Sequence, residues 1–371
     1  MTTTPFSFRI THTDGHARTG HIETPHGTVP TPAFMPVGTR ATVKALSPED
    51  VRQSGAAILL GNTYHLMLRP GEALIQRAGG LARFMAWHGP TLTDSGGFQI
   101  FSLSARTKVT DDGVVFASHI DGQRVHLTPE RAIAVQGALG SDIAMVLDEC
   151  PPGDAPLSAI QRAMERTTRW AERQIDAPRP AGQALFGIVQ GGTHTALRRQ
   201  HLAQIADMPF DGIALGGLSV GEPIPEMYRI FAEIGPHMPA QRPRYVMGVG
   251  TPADLLTGIE CGIDMFDCVM PTRNARNGQV FVRGGKLNIK HARFADDPAP
   301  LDPQCQCYTC RTFERRYLRH LFMSQELLIH RLLTLHNLQH YGDMTAQARQ
   351  AIATGNFAAM KKDWLESGEG D

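Results

Sequence analysis

Short apolar runs alternate with longer amphipathic stretches along this chain. Eight such runs, at residues 33–35, 58–60, 91–93, 143–147, 185–189, 213–215, 245–247 and 263–266, lack the apolar–polar alternation of a half-exposed strand and read as strands buried on both faces. Between them, Ser47-Pro48-Glu49-Asp50, Thr128-Pro129-Glu130 and Thr251-Pro252-Ala253-Asp254 repeat one helix start: a hydroxyl N-cap, a proline at the first helical position and an acid in the first turn. Residues 157–175 and 193–205 predict longer amphipathic helices. Eight buried strands alternating with helices predict an α/β fold, a (β/α)8 TIM-type barrel, with an open doubly wound sheet as the alternative.

Two stretches break the repeat. Residues 101–125, with Asp112-Gly113 and Asp121-Gly122, read as an inserted β-hairpin, and residues 275–294, with turns at Asn277-Gly278 and Gly284-Gly285, read as further short strands. A proline-rich stretch at 296–303 leads into a cysteine cluster. The expected organisation is a barrel core carrying the catalytic face (1–275), a metal-binding subdomain (276–345), and a C-terminal helix packing back on the barrel with a tail (346–371).

At 371 residues with 42% hydrophobic positions the chain has ample material for one large core. No apolar run approaches the roughly 18 residues of a membrane span, and the polar N-terminus lacks the apolar segment of a signal peptide, so a cytoplasmic protein is expected. Six cysteines do not suggest a disulfide framework. The formal net charge of zero does not bear on nucleic-acid binding, which depends on local charge.

The residues at the C-terminal ends of the apolar runs are more informative. The runs are succeeded by Asp94-Ser95-Gly96-Gly97-Phe98, Asp148-Glu149-Cys150, Gln190-Gly191-Gly192, Gly216-Gly217-Leu218, Gly248-Val249-Gly250 and Asp267-Cys268. Asp and Gly end strands for conformational reasons alone. In a barrel, however, all these positions gather at the C-terminal mouth, where such folds carry their active sites. Paired carboxylates there suit glycosidic chemistry, one as nucleophile and one as acid and base. Phe98 offers a face for stacking a base. Spacing does not say which aspartate does what.

Cys305-Gln306-Cys307-Tyr308-Thr309-Cys310 puts three thiols in one tight loop, and a structural zinc site would take a fourth ligand from His320, His330, His336 or His340. Between Cys268 and Ala295 there is no acid, while Arg273, Arg276, Arg283, Lys286, Lys290 and Arg293 are basic, followed by Arg311, Arg315, Arg316 and Arg319. A solvated basic face is one reading; a track for a phosphate backbone running from the mouth to the metal site is the other. The helix N-terminus opened by 248–252 is a further phosphate candidate.

Four motifs then resemble one family. Thr93-Asp94-Ser95-Gly96-Gly97-Phe98-Gln99, Gly187-Ile188-Val189-Gln190-Gly191-Gly192, Gly216-Gly217-Leu218-Ser219-Val220-Gly221-Glu222 and Phe266-Asp267-Cys268-Val269-Met270-Pro271-Thr272-Arg273 are similar to those of bacterial tRNA-guanine transglycosylases, as is the cysteine cluster; the similarity runs from about Phe6 to Met360. It implies that Asp267 is the nucleophile and Asp94 the general acid/base. It implies a base pocket of Ser95, Phe98, Asp148, Cys150, Gln190, Gly216, Gly217, Leu218, Val220 and Met247. Phe98 and Met247 would sandwich the base, and the Leu218 carbonyl would meet its aminomethyl group. RNA would be contacted by Gly248, Val249, Gly250, Thr251, Pro252, Ala253 and Asp254, and by Thr272, Arg273, Asn274, Ala275 and Arg276. One structural Zn2+ would be held by Cys305, Cys307, Cys310 and His336.

The implied reaction replaces guanine at the wobble position of tRNAs with GUN anticodons by 7-aminomethyl-7-deazaguanine, through a covalent Asp-ribosyl intermediate, in queuosine biosynthesis. The implied partners are the tRNA anticodon stem-loop, the deazaguanine base and a second copy in a homodimer, with no membrane. The pocket version with Cys150 and Val220 resembles the bacterial form rather than the archaeal or queuine-using ones. A non-catalytic tRNA-binding subunit would be expected to lack one of the two key aspartates. A metal-dependent barrel hydrolase would need ligands at the strand ends.

Overall fold

The computed structural model describes residues 5–103, 107–153 and 155–366. It opens with an antiparallel sheet of β1 (Ser7–Asp14), β2 (Ala17–Thr24) and β3 (Gly27–Thr31). The sequence pattern does not predict this sheet. Strand β1 is covered on no more than one side, so its composition is polar and hides the strand.

The eight buried runs then form a closed barrel. Its strands in chain order are β4 (Ala33–Gly38), β5 (Leu59–Gly61) and β6 (Thr91–Thr93). An inserted sheet comes next, of β7 (Thr107–Thr110), β8 (Gly113–Ala117) and β9 (Arg124–Leu127). The barrel resumes with β10 (Ile143–Met145), β11 (Ala184–Val189), β12 (Gly212–Leu215), β13 (Arg244–Val246) and β14 (Met265–Cys268), and β14 pairs in parallel with β4 to close it. Every barrel-strand residue is buried, which is why none of these strands alternates. The doubly wound alternative is thereby excluded.

Two strand expectations are corrected. The expected hairpin at 101–125 is a three-stranded antiparallel sheet preceded by a helix, Gly97–Leu103; residues 104–106 of that stretch lie outside the described residues. The last barrel strand starts two residues later than the apolar run, so Asp267 sits within β14 rather than after it.

Helix starts obey local chemistry. Ser47 and Thr251 each form a capping box, with Asp50 and Asp254, and Thr128 accepts from the Arg131 amide. Each such cap contributes about 1 kcal/mol. The helix Leu157–Ile175 has the expected bounds and buries Ile160, Ala163, Met164, Thr167, Trp170, Ala171 and Gln174 along one stripe. The other long helix is Thr195–Ala206.

The N-terminal sheet is tied to the starts of the barrel strands. Arg18 of β2 donates to both carboxylate oxygens of Asp264 (2.9 and 2.5 Å), just ahead of β14. His26, in the turn between β2 and β3, meets Asp142 at 2.7 Å just ahead of β10, and Asp142 also accepts the Thr91 amide. One end of the barrel is therefore covered, and the chemistry is left to the other.

Beyond the barrel, β15 (Gln279–Val282) and β16 (Gly285–Asn288) pair antiparallel. The 27-residue helix Leu327–Ala353 runs through the expected boundary at 345. Its first turns, with Ile329, Leu332 and Leu333, belong to the apolar cluster around the cysteines. From Leu335 to Ile352 it belongs to the barrel core, which Phe357 and Trp364 of the last helix, Phe357–Glu366, also join. Residues 367–371 of the expected tail lie outside the described residues. Among the described residues no helix is long and apolar enough to cross a membrane.

Candidate active site

Asp94 leaves the end of β6 and is 8% exposed. Its carboxylate accepts from Asn62 Nδ2 at 2.6 Å and from the Thr63 amide at 2.9 Å. Asn62 leaves the end of β5 and also N-caps the helix Thr63–Leu68. Burial pushes the Asp94 carboxyl up to about 7; the Thr63 amide opposes this, and the negative charges of Asp267 and Asp148 reinforce it.

Asp267 is equally buried. Its Oδ1 accepts both the Tyr245 hydroxyl, at 2.5 Å, and the Gly248 amide, at 2.8 Å. Burial raises its pKa, and these two donors pull it back. No hydrogen bond to Oδ2 occurs among the described residues. Asp264, three residues earlier, is completely buried on Arg18 and the Arg244 amide at the covered end, and takes no part in this site.

Asp148, past β10, accepts from Gln190 Nε2 at 2.6 Å, and burial lifts its carboxyl to about 6. Gln190 itself packs against the Gly216-Gly217 turn so closely that a Cβ on Gly217 would stand 2.4 Å from Gln190 Oε1; Gly217 also has φ +62°, so both space and backbone require glycine. Cys150 joins the group beside Asp148, Gln190 and Gly217, and burial pushes its thiol up to about 12, leaving it a neutral wall. Leu218 is buried, Val220 half-buried. The Glu222 carboxylate accepts the Ser219 and Val220 amides. A planar trans peptide then turns the Leu218 carbonyl away from Glu222. Ser95 is buried, with its hydroxyl accepting from the Gly97 amide; Phe98 stands 49% exposed on the rim, and Met247 is half-buried after β13.

The residues expected to meet RNA divide by exposure. Gly248 and Arg273 are exposed, and Thr251, Pro252, Ala253, Asn274 and Arg276 partly so. Val249, Gly250, Asp254, Thr272 and Ala275 are buried. The Asp254 carboxylate is engaged by the Thr251 amide and the Tyr228 hydroxyl. That capping box also occupies two of the amides a phosphate would use. The basic track is likewise shorter than its composition: Arg283 bonds Asp363 and Gln347, Arg315 bonds Asp297, and Arg316 pairs with Glu314 and Asp296. Instead Arg40 and Lys44, from the loop after β4, come near Arg273 and Arg276. Burial first, and then these three arginines, hold the Lys44 pKa below its usual value.

The cysteine cluster closes as expected. The Sγ atoms of Cys305, Cys307 and Cys310 and a His336 nitrogen lie within 4.8 Å of one another, all buried. His336 Nε2 is 2.8 Å from the Phe281 carbonyl, which fixes its proton there and turns Nδ1 toward Cys310, 3.2 Å away. Four converging soft donors of this kind fit a closed tetrahedral metal site. Helix Leu327–Ala353 links this site to the mouth. Asn337 donates to the Pro271 carbonyl at 2.9 Å, and Tyr341 to the Gly250 carbonyl at 2.8 Å.

A sequence profile described as Queuine tRNA-ribosyltransferase matches residues 13–369. The chain belongs to this family. Queuine tRNA-ribosyltransferase of Sorangium cellulosum is 57% identical over 367 residues, covering 98% of this chain and 93% of that protein. The proteins of the same name from Solidesulfovibrio magneticus and Acidithiobacillus ferrooxidans are 56% and 54% identical, covering 97% of each chain and 96% of each chain respectively. Queuine tRNA-ribosyltransferases are tRNA-guanine transglycosylases, so the chain is an enzyme of the pentosyltransferase class.

Asn62, Tyr245, Arg198, His201 and Glu222 also belong to the site, although the sequence pattern assigns them no role. Asn62 comes after a strand end, as Asp94 and Asp148 do, and was legible by the same rule. Tyr245 lies inside a strand, and Arg198 and His201 on a helix, where no local signal distinguishes them.

Proposed function

We propose that this enzyme exchanges guanine at the wobble position of tRNAs with GUN anticodons for 7-aminomethyl-7-deazaguanine, in queuosine biosynthesis. The observation that carries the reading is the pairing of Asp94 and Asp267 at one mouth. The two differ in chemistry: among the described residues nothing hydrogen-bonds to Asp267 Oδ2, and burial pushes the Asp94 carboxyl up to about 7.

Asp267 Oδ2 attacks C1′ of the wobble ribose as the C1′–N9 bond breaks, and Asp94 gives its proton to the departing guanine. The deazaguanine then enters, loses its N9 proton to the Asp94 carboxylate and attacks C1′, expelling Asp267 with net retention. Asp148 accepts the N–H donors of the guanine-like edge; Gln190 and the Gly217 amide face its carbonyl. The Leu218 carbonyl receives the aminomethyl group, and Phe98 and Met247 enclose the ring. The target nucleotide leaves its stack to reach this pocket, with the anticodon loop held by the segments 248–254 and 272–276.

One zinc ion, on Cys305, Cys307, Cys310 and His336, supplies structural cross-linking of the subdomain. Two copies pair through this subdomain in the cytoplasm, a reading supported by the exposed Met323, Leu327 (84% exposed) and Leu328. The test is a denaturing gel of enzyme with tRNA: wild type forms a covalent adduct, and Asp267→Asn forms none. An adduct persisting in that variant would reassign the nucleophile.

A further inference from the structure

Arg198 and His201 lie one turn apart on the buried face of the helix Thr195–Ala206, and both are fully buried. A buried guanidinium normally faces a carboxylate. Among the described residues this one donates only to main-chain carbonyls. Nε reaches Gly192 at 2.6 Å, Nη1 reaches Val189 at 3.3 Å, and Nη2 reaches Gly216 at 2.9 Å and Gly217 at 3.1 Å. The fork thus spans two separate rim turns, those after β11 and β12. His201 adds a fifth tether: its Nδ1 accepts the Gln190 amide at 2.8 Å. Since an amide can only donate, the ring is neutral with its proton on Nε2. Burial, which lowers its pKa to about 4, keeps it so.

The backbone leaves room for nothing else. A Cβ on Gly191 would stand 2.8–2.9 Å from Arg198 Cγ and N. Peptide planarity then carries the constraint into the pocket. With the Gly216 carbonyl bound to Arg198, the amide of the same peptide, that of Gly217, must point the opposite way; it faces the Cys150 sulfur.

We propose that Arg198 is a positioning residue for base recognition: it holds the Gly216 and Gly217 carbonyls to itself, presents the Gly217 amide to the carbonyl edge of a guanine-like base, and with His201 fixes Gln190 beside it. The claim rests on the pocket assignment under Proposed function. It adds that specificity on the carbonyl side is set from behind, by a helix that does not touch the base. A planar fork with five donors suits this task; an ammonium does not.

The test is exchange of radiolabelled guanine into tRNA by wild type, Arg198→Lys and Arg198→Met, with KM determined separately for guanine and for tRNA. The expected result is a rise of about tenfold or more in KM for guanine in both variants, larger in Arg198→Met, with KM for tRNA within about twofold of wild type. If Arg198 served only to hold the fold, the melting temperature and apparent kcat would fall together while KM for guanine stayed at the wild-type value, and that result would overturn the proposal. Should Arg198→Met not be recovered folded, Arg198→Lys decides alone by the same criterion. Wild-type enzyme that fails to exchange guanine would instead overturn the pocket assignment itself, which the control reveals directly.

Discussion

The Tyr245 hydroxyl and the Asp267 carboxylate meet at 2.5 Å, on the same oxygen that takes the Gly248 amide. Both donors lie on one side of the carboxylate, so they fix its plane and, among the described residues, leave the second oxygen without a hydrogen bond. Tyr245 is fully buried, with its own pKa raised well above 10 by burial first and then by the Asp267 charge, so it stays a proton donor throughout.

Tyr245→Phe should therefore form the covalent tRNA adduct about ten- to a hundredfold more slowly, by loss of one charge-assisted hydrogen bond, while tRNA affinity changes little. Single-turnover adduct formation beside a filter-binding measurement checks this. An unchanged adduct rate would show that Gly248 alone orients the nucleophile.

Asp94 links the mechanism to stability. Its folded pKa of about 7 lies above the unfolded value of 3.8, so the native state holds the extra proton. Its contribution is thus fully present below about pH 4 and is lost as pH rises through about 7. Asp94→Asn cannot ionise. It should gain stability relative to wild type between pH 4 and 7, by several degrees in melting temperature at the plateau, while exchange falls by about a thousandfold or more. Melting curves across that range, taken with exchange rates, check both halves.

Asp148 should recognise the base only when ionised, because the N–H donors of a guanine edge need an acceptor. Its pKa is lifted to about 6 by burial, against the pull of Gln190. KM for guanine should then rise about tenfold per pH unit below 6 and level off above it. Asp148→Asn should remove that dependence and raise KM at all pH values. A profile of the same shape in the variant would assign the titration elsewhere.

The metal site should be felt at the RNA side more than at the base. Asn337, next to His336, holds the Pro271 carbonyl and, through Oδ1, the Phe281 amide; Tyr341 holds Gly250. Cys307→Ser should lose bound metal and lower the melting temperature. Asn337→Ala should keep the metal yet raise KM for tRNA by about tenfold, with KM for guanine little changed. Metal analysis of the purified variants and the two KM values separate these effects.

Much of this was legible from particular residues. The eight apolar runs without alternation marked the barrel, because strands buried on both faces need no polar positions. Ser47, Thr128 and Thr251 marked helix starts, because capping is decided within four residues. Asp94, Asp148, Gln190 and Gly217 stood out as candidates by their places after strands, and the fold makes neighbours of the last three. The N-terminal sheet escaped the pattern because β1 is mostly exposed, and the helix Leu327–Ala353, which crosses the expected boundary at 345, is packed by two different cores in succession.

Local spacing and strand-end position, then, were determined by the sequence alone, since both depend on neighbours a few residues away. Partnership was decided only by the tertiary structure. That Asp264 binds Arg18 while Asp267, three residues on, keeps Oδ2 free of hydrogen bonds among the described residues depends on one standing just ahead of β14 and the other inside it once the barrel closes. That Arg198 binds four carbonyls instead of an acid depends on two turns brought together by strand pairing between β11 and β12. Such contacts join residues far apart in the chain, and only closure of the barrel brings them within hydrogen-bonding distance.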